Sequence, residues 1–264
     1  MDSNRNQINV EIPIEKFGKP IFSFKRTHEA AVRNSKIMAA FKGDLDAAIA
    51  VHKDSPVNYG SEFRDTTALE TLFLHHEDKT KIISIIKHGS RYHLNPIEEE
   101  TIKSDLSAMI LRGNHKSSQS VLNSAALNKA ISKDIDHGWA LPLPIESLQS
   151  IKNAGVVPLG VAEKFSINEK GERYVKRRVT HDCSFPGPSG LSVKNRVQQE
   201  SLQPRFYGFC LIRILHMISA MRSRWPTKRI LIGKTDLDAA YRRIHAHANT
   251  ASTCIAIVDE LSFL

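Results

Sequence analysis

The sequence predicts an α+β fold, with a helical N-terminal region over residues 1–137 followed by a part over residues 138–264 whose strands pair antiparallel. Three observations lead there. Apolar residues recur at helical spacing through most of the first half, punctuated by glycines and by serines suited to helix N-termini. The second half changes to alternating apolar and polar residues around a glycine-containing turn at 168–172. Charge divides in the same place: residues 1–150 carry 19 basic and 19 acidic side chains, residues 151–264 carry 18 and 9, so the whole net charge of +9 belongs to the second part.

With 264 residues, 41% of them apolar and 25% charged, the chain can bury a substantial core as one or two domains. No apolar run approaches the length that spans a bilayer, and residues 1–9 are polar, unlike a secretory signal. Cys183, Cys210 and Cys254 are far apart in sequence, odd in number and without metal spacing. Reduced thiols in an intracellular protein, cytoplasmic or nuclear and not secreted, are therefore expected. A basic second part suits a polyanion, because each neutralised phosphate releases counterions, although a merely solvated face has the same composition.

Residues 1–26 mix Asn, Pro, Gly and charges around the apolar pieces 12–14 and 21–24, and read as a weakly ordered arm with one short strand. From Glu29 to about Lys53, Ile37, Met38, Phe41, Leu45, Ala48 and Ile49 keep helical spacing, interrupted at Gly43, so two helices should meet there. Three further helices are expected over 66–76, 79–88 and 96–111, the last with Pro96 and Glu98 to Glu100 at its start and Gly113 at its end. Ser117 or Ser118 should cap a helix running to Asp136 and stopped by His137 and Gly138. His75, His76, His88 and His93 match no zinc spacing and read as surface or packing residues. The stretch 112–117 reads as a capped turn between helices, with phosphate contact at the helix N-terminus as the other possibility.

A boundary falls at 138–144, where prolines alternate with apolar residues and exclude regular helix. A short helix over 145–152 and strand-like sequence from Val156 to Val161 follow. Residues 163–182 then predict two strands joined by the 168–172 turn, with Gly171 available for positive φ. On the second strand Val175, Arg177 and Val179 share one face, and Lys176, Arg178 and Thr180 the other, so Lys176 and Arg178 can meet one anionic ligand such as a triphosphate. The plainer reading is an exposed, lysine-blunted edge. Next, Leu211, Ile214 or Leu215, Ile218 and Met221 form an apolar helical stripe expected to pack on a sheet, while Arg213, Arg222 and Arg224 lie away from it, toward nucleic-acid phosphates or solvent. A last strand is expected over 252–258.

The β-branched run 230–232 after Pro226 predicts a short buried strand that delivers Asp236 at its end. A carboxylate there needs a cationic partner. Asp236 or Asp238 caps a helical turn over 239–243, or Asp236 holds Mg²⁺ for phosphoryl transfer.

The string Lys234, Asp236, Leu237, Ala240, Tyr241 and Ile244 resembles the first catalytic motif of reverse transcriptases in residue type and spacing. That resemblance implies a metal-binding, catalytic Asp236 and places Tyr241 under the incoming sugar, where it would select deoxynucleotides. The basic hairpin is similar to the family's fingers hairpin, with Arg178 four residues before Asp182 and Lys170 nearer the tip as a second triphosphate contact. The stretch from Asp182 through Ser184 to Asn195 also follows the family's pattern. Over residues 139–264 the resemblance implies the fingers and first palm portion of a right-hand polymerase, acting on an RNA template, a DNA primer and deoxynucleoside triphosphates with Mg²⁺. The helical first half looks loosely like the N-terminal extensions of retroelement polyproteins.

The family's Tyr-x-Asp-Asp tetrad does not occur in these 264 residues, and no second palm motif or thumb follows Ile244. The expectation is a reverse transcriptase part truncated before its carboxylate set is complete and inactive alone. The alternative is a non-catalytic nucleic-acid-binding module from a decayed or domesticated element. A third reading is an interaction protein built on the N-terminal helices.

Overall fold

Polar or acidic residues ahead of apolar-periodic runs start the helices of the first half, with Thr27 and Ser120 as side-chain caps and Gly89 and Gly113 as stops. The computed structural model describes residues 22–50, 66–202, 209–233 and 244–264. α1 (His28–Ala40) begins where Thr27, in extended backbone, accepts a hydrogen bond from the Ala30 N–H (3.2 Å). A turn at Lys42 and Gly43 leads into α2 (Leu45–Ala50). Gly43 is required there, with φ +72° and only 1.6 Å between the place of a Cβ and the Ser150 carbonyl oxygen. α3 (Thr67–Leu72), α4 (Lys79–His88) and α5 (Glu99–Arg112) follow. α3 stops short of the predicted residue 76, where the His76 ring instead accepts from the Asp78 N–H and meets Phe73 edge-on.

α6 (Val121–Asp136) is capped by Ser120, whose Oγ accepts from the Asn123 N–H (3.3 Å), and not by Ser117 or Ser118. Those two are engaged in the preceding 3₁₀ turn. Ser118 donates to the His115 carbonyl (2.7 Å), and Ser117 Oγ accepts from the Val161 N–H (3.2 Å).

β1 (Pro142–Pro144) carries the two prolines that exclude helix, and it lies at the edge of a three-stranded antiparallel sheet where missing N–H groups do no harm. β5 (Leu261–Phe263) occupies the centre and β4 (Ala256–Val258) the other side, joined through Asp259 at φ +55°. β2 (Leu159–Ile167) and β3 (Arg173–His181) make the separate hairpin, in register from Leu159↔His181 to Ile167↔Arg173. The remaining helices are α7 (Val193–Arg196), α8 (Cys210–Arg224) and the short α9 (Ala248–Ala251).

Two asparagine side chains finish the outer edges of the three-stranded sheet. On the β1 side the fully buried Asn34 donates to the Pro142 and Ser23 carbonyls (2.9 Å each) and accepts from the Ser23 N–H (2.8 Å). On the β4 side, residues 155–157 run parallel to the chain at Ile255, with the Ile255 N–H donating to Gly155 and the Val157 N–H to Ile255 (2.9 Å each). The next rung of that ladder would join the Leu159 N–H to the Ile257 carbonyl. The Asn114 amide stands in its place, accepting from Leu159 (2.8 Å) and donating to Ile257 (2.6 Å). β2 therefore parts from β4 at Asn114, and the hairpin leaves the sheet there.

One core cluster joins Met38, Leu45 and Met109 of the helices to Leu143, Leu148 and Ile255. A second sets Leu127, Ile131 and Ile135 of α6 against Leu159, Val161 and Phe263. Both draw on residues from either side of position 138, and each fully buried Leu or Ile in them contributes roughly 1.5–3 kcal/mol.

Candidate nucleic-acid interface

Alternation along β2 and β3 sorts their side chains onto two faces. On one, Leu159, Val161 and Val179 settle on α6, and Arg177 donates from Nε to Asn123 (2.8 Å) and to Glu163 (3.1 Å). That contact consumes one of the hairpin's cations in holding it to the body. The other face carries Lys176 and Arg178, both exposed, with Lys164 directly opposite Lys176 in the register and Ala162 opposite Arg178. Like charges placed across a strand pair repel, and an anion lying over them removes that cost. Lys170 sits in the turn, where its N–H donates to the Asn168 side chain (3.0 Å) and Gly171 takes φ +81°. The outer half of the hairpin carries exposed Phe165 and Ile167, with the Arg173 guanidinium 3.8 Å from the Phe165 ring centroid.

The hairpin's exit is anchored by contacts between the 182–185 segment and the 112–117 turn. His115 Nε2 lies 3.0 Å from Asp182 Oδ2, and Ser184 Oγ donates to Asp182 Oδ1 (2.5 Å). The Ser184 hydroxyl, followed by His115, holds the Asp182 carboxyl below its ordinary range. The Arg112 guanidinium lies 3.4 Å from the Phe185 ring centroid. Asn195 completes a capping box with Ser192 at α7, so its local role is to start that helix. The stretch 112–117 joins α5 to α6 as a turn and also braces the helical half against the hairpin through Asn114 and His115, a contact the turn reading did not include.

Two expectations are corrected. The run 230–232 is not a buried strand: Leu231 is 76% and Ile232 72% exposed, without strand pairing. β-branched residues favour strands only where a neighbouring strand and a covered face receive them, and no described strand lies beside this run. The stripe on α8 is likewise not packed on a sheet, since Leu211, Ile214 and Leu215 are all exposed. Arg213, Arg222 and Arg224 are exposed on this helix, and Arg222 also donates to the Pro226 and Lys228 carbonyls (3.5 and 3.4 Å), closing the helix end. Asp236 and Tyr241 lie outside the described residues, as does Lys234.

Cys183, just beyond the hairpin, and Cys254, just before β4, come together although 71 residues apart in sequence. A hydrogen bond from the Cys254 thiol lowers Cys183 to about 7, and the same bond with burial pushes Cys254 up. Among the described residues no three His, Cys, Asp or Glu side chains are grouped to hold a metal ion. No described helix is long and apolar enough to cross a membrane.

The missed cation, Lys164, was readable once the turn at 168–172 fixed the register opposite Lys176. The roles of His115 and Asn114 within the 112–117 turn were not readable, because their partners are 67 and 143 residues away. Set against models of protein families, curated proteins and solved structures, the chain matches none of them.

Proposed function

We propose that the chain is the N-terminal part of a retroelement reverse transcriptase, and that the β2–β3 hairpin is its nucleotide-facing fingers element. The observation that carries this reading is the exposed cationic face of Lys164, Lys176 and Arg178, on a hairpin whose opposite face is tied down through Arg177. Guanidinium and ammonium groups set side by side on one face of paired strands suit a triphosphate or successive backbone phosphates. Tyr241 would gate the sugar, and Asp236 would supply one ligand to Mg²⁺. When bound, that metal would stabilise charge on the reacting phosphoryl oxygens. Without a Tyr-x-Asp-Asp tetrad in these 264 residues, the chain should bind primer and template but not extend a primer alone.

The test is anisotropy of a labelled RNA–DNA primer-template across a salt series. Affinity should fall steeply with salt, and Lys176→Gln and Arg178→Gln should each reduce the slope of log K against log salt by about 1. Salt-independent binding, or unchanged slopes, removes the role assigned to the hairpin. The same cationic face supports one second reading, a non-catalytic nucleic-acid-binding module. A chain continued through a Tyr-x-Asp-Asp segment separates the two. Deoxynucleotide incorporation abolished by Asp236→Ala supports the polymerase, and binding without incorporation supports the module.

A further inference from the structure

The hairpin is not the only cationic feature of the fold. Residues 90–98 contribute no regular element beyond two isolated bridges, yet backbone bonds pin them firmly. The Tyr92 N–H donates to Thr250 Oγ1 (3.2 Å), the Gln198 N–H to the His93 carbonyl (2.8 Å) and the Asn95 N–H to the Arg196 carbonyl (2.7 Å). Leu94 and Val197 pair antiparallel between them. This clamp brings three distant segments, 91–96, 196–198 and the start of α9, around one open cleft of about 250 Å³, room for part of a small ligand with the rest in solvent.

Its polar lining includes Arg91, His93, Asn153, Arg196 and Gln198, with no carboxylate among the lining residues. Arg196 is half-buried and spends its Nε and Nη2 on one acceptor, the Asn95 carbonyl (3.3 Å each), which leaves its Nη1 end for another. Burial disfavours its charge and Asp105 only partly compensates, although no described carboxylate forms an ion pair with it. A guanidinium drawn out of water in this way is stabilised by an anion that brings several acceptors. Arg91 faces the same cleft from the solvent side, and Tyr92 beside it is 50% exposed. An aromatic ring in a cleft lined by two arginines can stack a base while its phosphate is held.

We infer that this cleft is a nucleotide site, in which Arg91, Arg196 and His93 take the phosphate and Tyr92 the base. It shares no residue with the hairpin face and does not depend on the polymerase reading. The phosphate is that of a free nucleotide or of a single strand. Binding of three probes to the full chain decides: AMP, inorganic phosphate and a ten-nucleotide single-stranded DNA carrying a photoreactive thiobase. The exposed variants Arg91→Gln and Tyr92→Leu, checked for native circular dichroism, are compared with Lys176→Gln.

Arg91→Gln should weaken AMP or the ten-mer about tenfold, and Tyr92→Leu about fivefold while leaving inorganic phosphate unchanged. Lys176→Gln should leave AMP binding unaltered, and the crosslink should map to residues 91–98. AMP binding that displaces the ten-mer identifies a free nucleotide, and ten-mer binding without AMP binding identifies a strand. The assignment is overturned if no probe binds, if inorganic phosphate alone binds, or if both exposed variants stay within twofold of the wild type.

Discussion

Replacing Asn114 with Ala should strip two buried backbone groups of their partners at once. Leu159 is 0% and Ile257 8% exposed, and one side-chain amide serves the N–H of the first and the carbonyl of the second. A buried group left without a partner costs about 1–3 kcal/mol, so the pair costs about 2–6 kcal/mol if nothing moves. The direct Leu159 to Ile257 rung could recover part of this only if β2 closed onto β4. The His115 N–H, bonded to the Leu159 carbonyl at 2.9 Å, holds the intervening loop in the way. A net loss of about 3 kcal/mol follows, and with a urea slope of about 3 kcal/mol/M the unfolding midpoint should fall by about 1 M at unchanged slope. Asn114→Asp keeps the acceptor but turns a carboxylate toward the Ile257 carbonyl, and should do no better than Ala. A midpoint shift below about 0.3 M for the Ala variant would show that solvent replaces the amide and that this side chain does not set the sheet's edge.

Gly43→Ala should destabilise by about 1–2 kcal/mol from the left-handed backbone alone, with displacement of residues 150–151 added; full solubility and an unchanged melting curve would contradict the close approach. Cys183, held at about 7, should be alkylated by iodoacetamide with a rate that rises through that pH while Cys254 stays protected, and Cys254→Ala should move the midpoint back toward 9.0; peptide mapping reads both. Because the Asp182 carboxyl is depressed in the folded state, its contribution is complete above the ordinary value of 3.8 and is lost as pH falls through the lower folded value. Asp182→Asn should therefore be less stable than the wild type at neutral pH, with a gap that closes below 3.8, and a gap constant with pH refutes the assignment.

What could be read from the sequence was local. α4 has the predicted bounds, Gly43 separates two helices, Gly113 and His137 end theirs, and the hairpin turns at 168–172, each because cap, glycine or alternation lies within a few residues of its effect. The errors fell where an outcome depends on a distant partner. Asn34 and Asn114 look like ordinary surface amides until the strands 108 and 143 residues away are placed against them. The run 230–232 and the stripe on α8 have the composition of buried elements, but composition cannot supply the surface that would cover them. The central place of β5 was hidden for the same reason, its three residues being too few to show alternation. Of the proposed site, the cationic face of the hairpin was legible. The clamp around Arg91 and Arg196 was not, because it is assembled by backbone bonds between segments about a hundred residues apart.

The hairpin is gripped at one end only. Leu159 to Val161 are buried, whereas the rungs beyond Glu163 and Arg177 stand clear of the body, in the manner of a cantilever. Amide exchange should therefore quicken along β2 from root to tip, with the outer rungs opening while the root stays closed. Whatever ligand stills that free end must offset the entropy of its swing, so its affinity will be sensitive to stiffening substitutions at positions that never touch it.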